Sequence, residues 1–187
     1  MEVPKIGKLE KTSTAFVLID IQEAFRPHIY GLDEVLANSN RLVKGATVFR
    51  IPLLVTEQYP KGLGRTIPEI ELPERTEPMP KLSFSCVGCD DFRESLERTK
   101  VKSVVVFGIE THVCVLQTVL DLLEMGYEVH VVADAVSSRT ERNRELAFER
   151  MRQSGAFIVS TEMVLFQLLV RAKSEGFKEI SELVKYR

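Results

Sequence analysis

Short apolar runs alternate along the chain with longer segments in which apolar residues recur every three or four positions. The runs are typical of buried strands, and the spaced segments are typical of helices with one buried face. Such alternation favours parallel βαβ units. The pattern predicts an α/β fold, a three-layer α/β/α doubly wound sheet of six mainly parallel strands. These strands cover residues 15–19, 51–56, 79–82, 103–107, 128–133 and 156–159.

Two chemically useful residues follow the strands that should lie at the centre of this sheet. With the strand order 3-2-1-4-5-6, strands one and four are neighbours at the topological switch point, where such sheets bind ligands. Asp20 ends strand one, and Cys114 follows strand four. On that assumed order we expect an acid and a thiol to meet at the switch point.

Cys114 lies at or near the first turn of the helix predicted after strand four. Free N–H groups and the positive end of the helix dipole favour a thiolate in such a place. The thiol can therefore be a nucleophile, although a cysteine is more often a small buried hydrophobic residue. A proline- and glycine-rich loop from Gln58 to Pro80 is long for a compact domain, and loops of this length are often functional.

Composition narrows the class of protein. The 187 residues are 44% apolar and 28% charged, with a formal net charge of −2, which suits one domain over residues 1–187. No dense basic run suggests a nucleic-acid partner, and no apolar stretch is long enough for a membrane span. Three cysteines without a signal peptide indicate a reducing, cytoplasmic setting with free thiols.

Four stretches carry a resemblance to a known family. They are Leu18–Gln22 with Phe25 beyond it, Pro80–Lys81 with Phe84–Ser85 after it, Gly108–Val115, and Ala133–Arg139. Asp20, Lys81 and Cys114 within or beside them resemble the catalytic triad of the isochorismatase-like cysteine hydrolases, and residues 56–64 resemble the isochorismatase-domain-containing branch. The resemblance covers nearly the whole chain and implies a single isochorismatase-like, Rossmann-type domain.

The resemblance also implies a reaction. Asp20 would take the proton of Cys114, and the charge of Lys81 would favour both ionised groups. The thiolate would attack a small amide or related carbonyl compound to form a thioester, without a metal or other cofactor. Backbone N–H groups of Glu110 and Cys114 would bind the oxyanion, with a cis peptide between Ile109 and Glu110. The expected partner is a small-molecule substrate, not nucleic acid or a membrane.

One segment departs from the nicotinamidases of this superfamily, which bind a metal through an Asp and His cluster after strand two. The corresponding segment, Thr56–Tyr59, contains no histidine. We therefore expect no catalytic metal, which argues against nicotinamide itself as the substrate. We expect Phe25, Gln58, Tyr59 and Thr111 to line the substrate pocket instead.

Other functions stay open. A non-catalytic binding or scaffold member of the same fold is one alternative. Cys86 and Cys89 form a CxxC motif before a predicted helix, so a thiol oxidoreductase is another. Otherwise we interpret these two thiols as incidental residues near the pocket rim. His112 is two residues from Cys114 and would point to another side of the helix, so no His–Cys dyad is expected.

The last part of the chain contains a broad apolar stripe between Met163 and Val170. We interpret such a stripe mainly as part of the hydrophobic core and, as the second interpretation, as a subunit interface. Together with the resemblance, it favours a homo-oligomer, a dimer or larger.

Overall fold

The computed structural model describes residues 6–185, so the predicted domain limits at residues 1 and 187 lie outside the described part. Its centre is a six-stranded sheet in the order β3-β2-β1-β4-β5-β6, and every pairing in it is parallel. The strands are β1 (Thr14–Ile19), β2 (Leu53–Gln58), β3 (Met79–Lys81), β4 (Ser103–Ile109), β5 (Glu128–Ser137) and β6 (Phe157–Val159). The predicted fold class and strand order are confirmed.

Helices cover both faces of the sheet. They are α1 (Leu32–Phe49), α2 (Pro60–Leu63), α3 (Asp90–Thr99), α4 (Leu116–Glu124), α5 (Glu141–Gln153), α6 (Thr161–Leu169) and α7 (Phe177–Val184). On one face α1 packs against α6 and α7, while α4 packs against α5 on the other. None of the helices within residues 6–185 is long and apolar enough to cross a membrane.

Some details differ from the prediction. Strand β5 continues to Ser137, past the predicted end at Ala133, because it pairs again with β4 after an irregular register between Val106 and Gly108. The long loop contains the one-turn helix α2. Thr140 caps α5, because its hydroxyl accepts the N–H of Asn143.

The two central strands, β1 and β4, are buried along their whole length. They approach each other closely at Gly108, where a Cβ atom would lie 2.1 Å from the carbonyl oxygen of Ile19. Gly108 also has a φ of 123°, which side chains other than glycine rarely tolerate. This contact fixes the spacing of the strands at the end of the sheet where the candidate site lies.

Candidate active site

Asp20 directly follows β1 and is completely buried. Its backbone is left-handed, with a φ of 51°, and its N–H donates to the carbonyl of Thr56 at 3.2 Å. The hydroxyl of Thr56 donates to Oδ1 of Asp20 at 2.8 Å. The carboxylate is therefore held between the ends of the two neighbouring strands β1 and β2.

Lys81 ends β3 and extends its ammonium group into the same buried region. Nζ donates to Oδ2 of Asp20 at 2.7 Å and to Oε1 of Gln58 at 2.7 Å. The carbonyls of Ser83 and Phe84 accept from the same nitrogen at 3.2 and 2.9 Å. Since an ammonium has three N–H donors, these four acceptors saturate it. Lys81 is thus a fixed positive charge beside Asp20.

Cys114 lies in the wide helical turn Thr111–Val115, which leads from β4 into α4. Turns of this π type are frequent at functional sites. The thiol is close enough to Asp20 and Lys81 for the charge of each to change its pKa. The hydroxyl of Thr118, one turn further on, donates to the carbonyl of Cys114 at 2.7 Å. The structure therefore brings Asp20, Lys81 and Cys114 together, as the resemblance implied.

Burial dominates the electrostatics of this cluster. Burial, followed by the negative charge of Asp20, raises the pKa of the Cys114 thiol far above its ordinary value, although the charge of Lys81 lowers it. Burial also raises the pKa of Asp20, against the lowering effects of Lys81, Thr56 and Cys114. Burial lowers the pKa of Lys81, but the Asp20 carboxylate and the neighbouring thiols raise it overall. The resting site therefore favours a protonated thiol, unlike the thiolate expected from the helix position.

Glu110, one of the two expected oxyanion residues, lies between β4 and the cysteine turn. The peptide bond between Ile109 and Glu110 is cis. The carboxylate of Glu110 is held by Arg139, whose Nε and Nη2 donate to its two oxygens at 2.9 and 2.8 Å. This ion pair neutralises the Glu110 side chain at the mouth of the site.

The four expected pocket residues lie in different surroundings. Tyr59 is half-exposed and Phe25 is partly buried, so both can contact a ligand. Gln58 is buried, and its amide is occupied: Oε1 accepts from Lys81, and Nε2 donates to the carbonyl of Leu82 at 2.8 Å. Thr111 is fully buried, and its hydroxyl has no hydrogen-bond partner within residues 6–185. Gln58 thus supports Lys81 rather than lining open space.

Two cavities flank the cluster. One of about 530 Å³ lies on the β1 and β4 side and is lined by Phe25, Pro27, His28, Glu110, Arg139 and Thr140. The other, of about 300 Å³, lies on the β2 and β3 side and is lined by Tyr59, Pro60, Lys61, Pro80, Lys81 and Leu82. Because Cys114 is only 5% exposed, small groups are best suited to reach its sulfur.

The CxxC cysteines separate in the structure. Cys89 is partly exposed, and its Sγ donates to the carbonyl of Pro80 at 3.7 Å. Cys86 is fully buried, and its Sγ lies 3.6 Å from the Thr56 hydroxyl. The interpretation of both as rim thiols is wrong for Cys86, because the turn after Ser85 directs it inward. A buried Cys86 also weakens the oxidoreductase alternative, since an exchanging disulfide needs access.

Sequence reasoning missed several residues that shape the site. Thr56 binds the Asp20 carboxylate and Thr118 binds the Cys114 carbonyl, while Cys86 contacts Thr56 and Arg139 binds Glu110. Only the position of Thr56, at the end of a strand beside strand one, could have drawn attention to it. Within residues 6–185, no group of three or more His, Cys, Asp or Glu side chains is placed to hold a metal ion.

Comparison with known proteins identifies the family. The Isochorismatase domain matches residues 14–163. Isochorismatase domain-containing protein 1 of Danio rerio is 42% identical over 185 residues, which is 99% of this chain but 65% of that protein. Thus the chain spans slightly less than two thirds of that relative. Isochorismatase domain-containing protein 2 of Danio rerio is 44% identical over 182 residues, covering 97% of this chain and 91% of that protein.

Solved structures agree with this assignment. A structure named MAR1 ribonuclease, from Caenorhabditis elegans, has a TM-score of 0.90 and 41% identity, with 95% of this chain and 92% of that chain covered. The ycaC gene product of Escherichia coli, described as an octameric hydrolase of unknown specificity, has a TM-score of 0.85 and 26% identity, with 91% and 85% covered. With a family domain matched over most of its length and relatives above 40% identity, the chain belongs to the isochorismatase family.

Proposed function

We propose that this chain is a metal-independent cysteine hydrolase that acts on a small amide or related carbonyl compound. Family membership supports a hydrolase. The observation that carries the finer proposal is the buried ion pair of Lys81 and Asp20, 2.7 Å apart, with the Cys114 thiol near enough for both charges to act on it. A nucleophile with an adjacent base is the arrangement that acyl transfer through cysteine needs, and a fixed cation beside them stabilises the ionised groups.

The proposed reaction begins with a proton transfer. As Cys114 attacks the carbonyl carbon, Asp20 takes the thiol proton, so a free thiolate need not accumulate at a thiol whose pKa is raised. The backbone N–H groups of Glu110 and Cys114 stabilise the oxyanion. Asp20 then gives its proton to the departing amine, leaving a thioester on Cys114.

The second half of the reaction returns the enzyme to its starting state. Asp20 removes a proton from a water molecule as that water attacks the thioester carbonyl. The carbon–sulfur bond breaks, the carboxylic acid product leaves, and Cys114 regains a proton. Lys81 stays protonated throughout, because its pKa is raised and its donors are already bound within the site. Its role is to stabilise the negative charge of Asp20 in the protein interior.

The test is a search for the acyl-enzyme. The protein is mixed with a library of small amides and esters, and intact and peptide mass spectrometry measure the mass added to each cysteine. We expect adducts on Cys114 that Cys114→Ala abolishes and the control Cys89→Ala leaves. If Cys114 forms no acyl adduct with any compound and alkylates no faster than Cys89, the non-catalytic scaffold alternative is favoured.

The neighbour named as a ribonuclease makes RNA cleavage the competing activity. The site favours a carbonyl substrate, because a thiol beside a buried carboxylate is better suited to acyl transfer than to a polyanion, and the chain carries a net charge of −2. A labelled RNA incubated with the parent protein and with Cys114→Ala provides the comparison. RNA cleavage that disappears in the variant would replace the amide proposal.

We also propose that the chain forms a homo-oligomer in a reducing compartment. Met163, Phe166 and Val170 expose an apolar strip along α6 and its end, and the E. coli neighbour is described as octameric. Light scattering coupled to size-exclusion chromatography should give a multiple of 21.2 kDa. A monomer at micromolar concentration would contradict the proposal, and Phe166→Glu should reduce assembly if this strip is the interface.

A further inference from the structure

We infer that Thr56 is a positioning residue for proton transfer between Asp20 and Cys114, and that the Cys86 thiol sets the direction of its hydroxyl. The inference rests on the proposed function, since it concerns the same acid and nucleophile. Thr56 pairs with Ile19 in the register of β1 and β2, which places its side chain beside Asp20.

Both oxygens of the Asp20 carboxylate have a partner. Oδ1 accepts the Thr56 hydroxyl at 2.8 Å, and Oδ2 accepts the Lys81 ammonium at 2.7 Å. The carboxylate plane is therefore held from two strands, β2 and β3. Because each carboxylate oxygen can accept more than one hydrogen bond, capacity remains for the thiol of Cys114.

The Cys86 thiol is the second polar group beside the Thr56 hydroxyl. The Thr56 hydroxyl has one proton, and its oxygen lies between the Asp20 carboxylate and the Cys86 sulfur, which is 3.6 Å away. Burial raises the pKa of Cys86 to about 12, so this thiol keeps its proton at neutral pH. Cys86 can then donate to Thr56, and Thr56 donates to the stronger acceptor, the carboxylate. The result is a hydrogen-bond chain directed toward Asp20.

The hydrogen bonds from Cys86 to Thr56 and from Thr56 to Asp20 favour the ionised form of Asp20. Burial raises the pKa of this acid, and a donated hydrogen bond opposes that effect. Without the bond, Asp20 would more readily take a proton from solvent and be unable to accept one from Cys114. Thr56 thus extends the pH range over which the base is available, without contacting substrate.

The experiment measures the rate of Cys114 alkylation by iodoacetamide from pH 4 to 10, quantified by peptide mass spectrometry. In Thr56→Val, which keeps the side-chain size, the acid limb of the profile should move up by about one pH unit, the worth of one hydrogen bond to a charged group. Thr56→Ser should restore the parental profile. Thr66→Val is the matched control, because it removes a 2.9 Å hydroxyl bond to the carboxylate of Glu57, outside the triad.

An acid limb that stays in place in a folded Thr56→Val protein overturns the inference. If that variant fails to fold, the same measurement is made on Cys86→Ala and Cys86→Ser. An acid limb that moves up in Cys86→Ala alone supports the hydrogen-bond chain through Thr56. Identical alkylation profiles in the two variants overturn the inference. Failure of the proposed function would give a different result from failure of this inference. In that case Cys114 of the parent protein would form no acyl adduct, whatever the effect of Thr56 on alkylation.

Discussion

The ammonium of Lys81 lies 2.7 Å from the carboxylate of Asp20, and neither side chain is exposed to solvent. A buried charge without a partner is costly, whereas a buried pair of charges can often be replaced by neutral side chains at little cost. The two residues should therefore behave as one unit in folding, although their proposed chemical roles differ.

The first prediction concerns this unit. Lys81→Met should lower the free energy of unfolding by about 3–5 kcal/mol at pH 7, because it leaves Asp20 buried without its cation. The double variant Asp20→Asn with Lys81→Met should recover most of that loss and still be inactive. Urea denaturation measures both. The exposed pair Lys44–Glu71 is the control, since Lys44→Met should cost less than about 1 kcal/mol. Equal losses in the single and double variants would contradict the prediction.

A second prediction separates thiol acidity from catalysis. After burial, the charge of Asp20 is the largest cause that raises the pKa of Cys114. Asp20→Asn should therefore lower the thiol pKa, which ultraviolet absorbance of the thiolate can follow during a pH titration. The same change should reduce acyl-enzyme formation by about 100-fold or more, because the general base is lost. An Asn variant that acylates at the parental rate would remove Asp20 from the mechanism.

A third prediction concerns acid stability. His130 is fully buried on β5, stacks on Phe157 with ring centroids 5.0 Å apart, and has no hydrogen-bond partner for either ring nitrogen within residues 6–185. Burial lowers its pKa to about 4 from 6.5. Between these pH values the unfolded chain binds the proton more readily, so the free energy of unfolding should fall as the pH drops through this interval, by up to about 3 kcal/mol.

The test of this third prediction is His130→Leu, which cannot be protonated. Thermal unfolding followed by circular dichroism from pH 7.5 to 4 should show a smaller loss of stability in the variant than in the parent. Parallel pH dependences of the two proteins would show that other groups cause the acid sensitivity.

A fourth prediction concerns the ion pair at the mouth of the site. Burial raises the pKa of Glu110, but the hydrogen bonds and charge of Arg139 outweigh it and hold that pKa below 4.5. Arg139→Gln should lower stability by about 1 kcal/mol at pH 7.5, a modest effect because the guanidinium is largely exposed. A depressed carboxyl pKa contributes stability above the unfolded pKa, and that contribution is lost as the pH falls. The parent and the variant should therefore converge below pH 4.5.

Glu110→Gln with Arg139→Gln tests the cause of this effect. The double variant should be closer to the parent at pH 7.5 than Arg139→Gln alone, because no unpaired carboxylate remains. A single-variant loss that persists unchanged at pH 4 would show that Arg139 acts through packing instead.

Much of the architecture could be predicted because it depends on burial. Strands β1 and β4 are buried on both faces, so they stand out as continuous apolar runs. The strand order then brought Asp20 to the same end of the sheet as Cys114. The end of β5 was harder to predict, because Asp134 interrupts the apolar run although the strand continues. Oδ1 of Asp134 accepts hydrogen bonds from the N–H and the hydroxyl of Thr161 at the start of α6.

The contacts around the triad could not be predicted in the same way. A hydrogen bond such as that from Thr56 to Asp20 joins residues 36 positions apart and leaves no periodic trace. Cys86 was misplaced for the same reason, because a CxxC spacing does not show that a short turn sends its two thiols in different directions. Gln58 follows a predicted strand and begins the long loop, which predicts a pocket residue, but its amide is bound between Lys81 and the carbonyl of Leu82.

The close approach of Gly108 to Ile19 has a consequence for engineering this fold. A side chain at position 108 would collide with the main chain of Ile19, so a larger residue there should push apart the strand ends that carry the acid and the nucleophile. Libraries aimed at new substrates can therefore diversify outer positions such as Tyr59 and Leu82 while residue 108 stays glycine. Under the proposed hydrolase activity, substrate range and reaction chemistry would be separately adjustable properties of one scaffold.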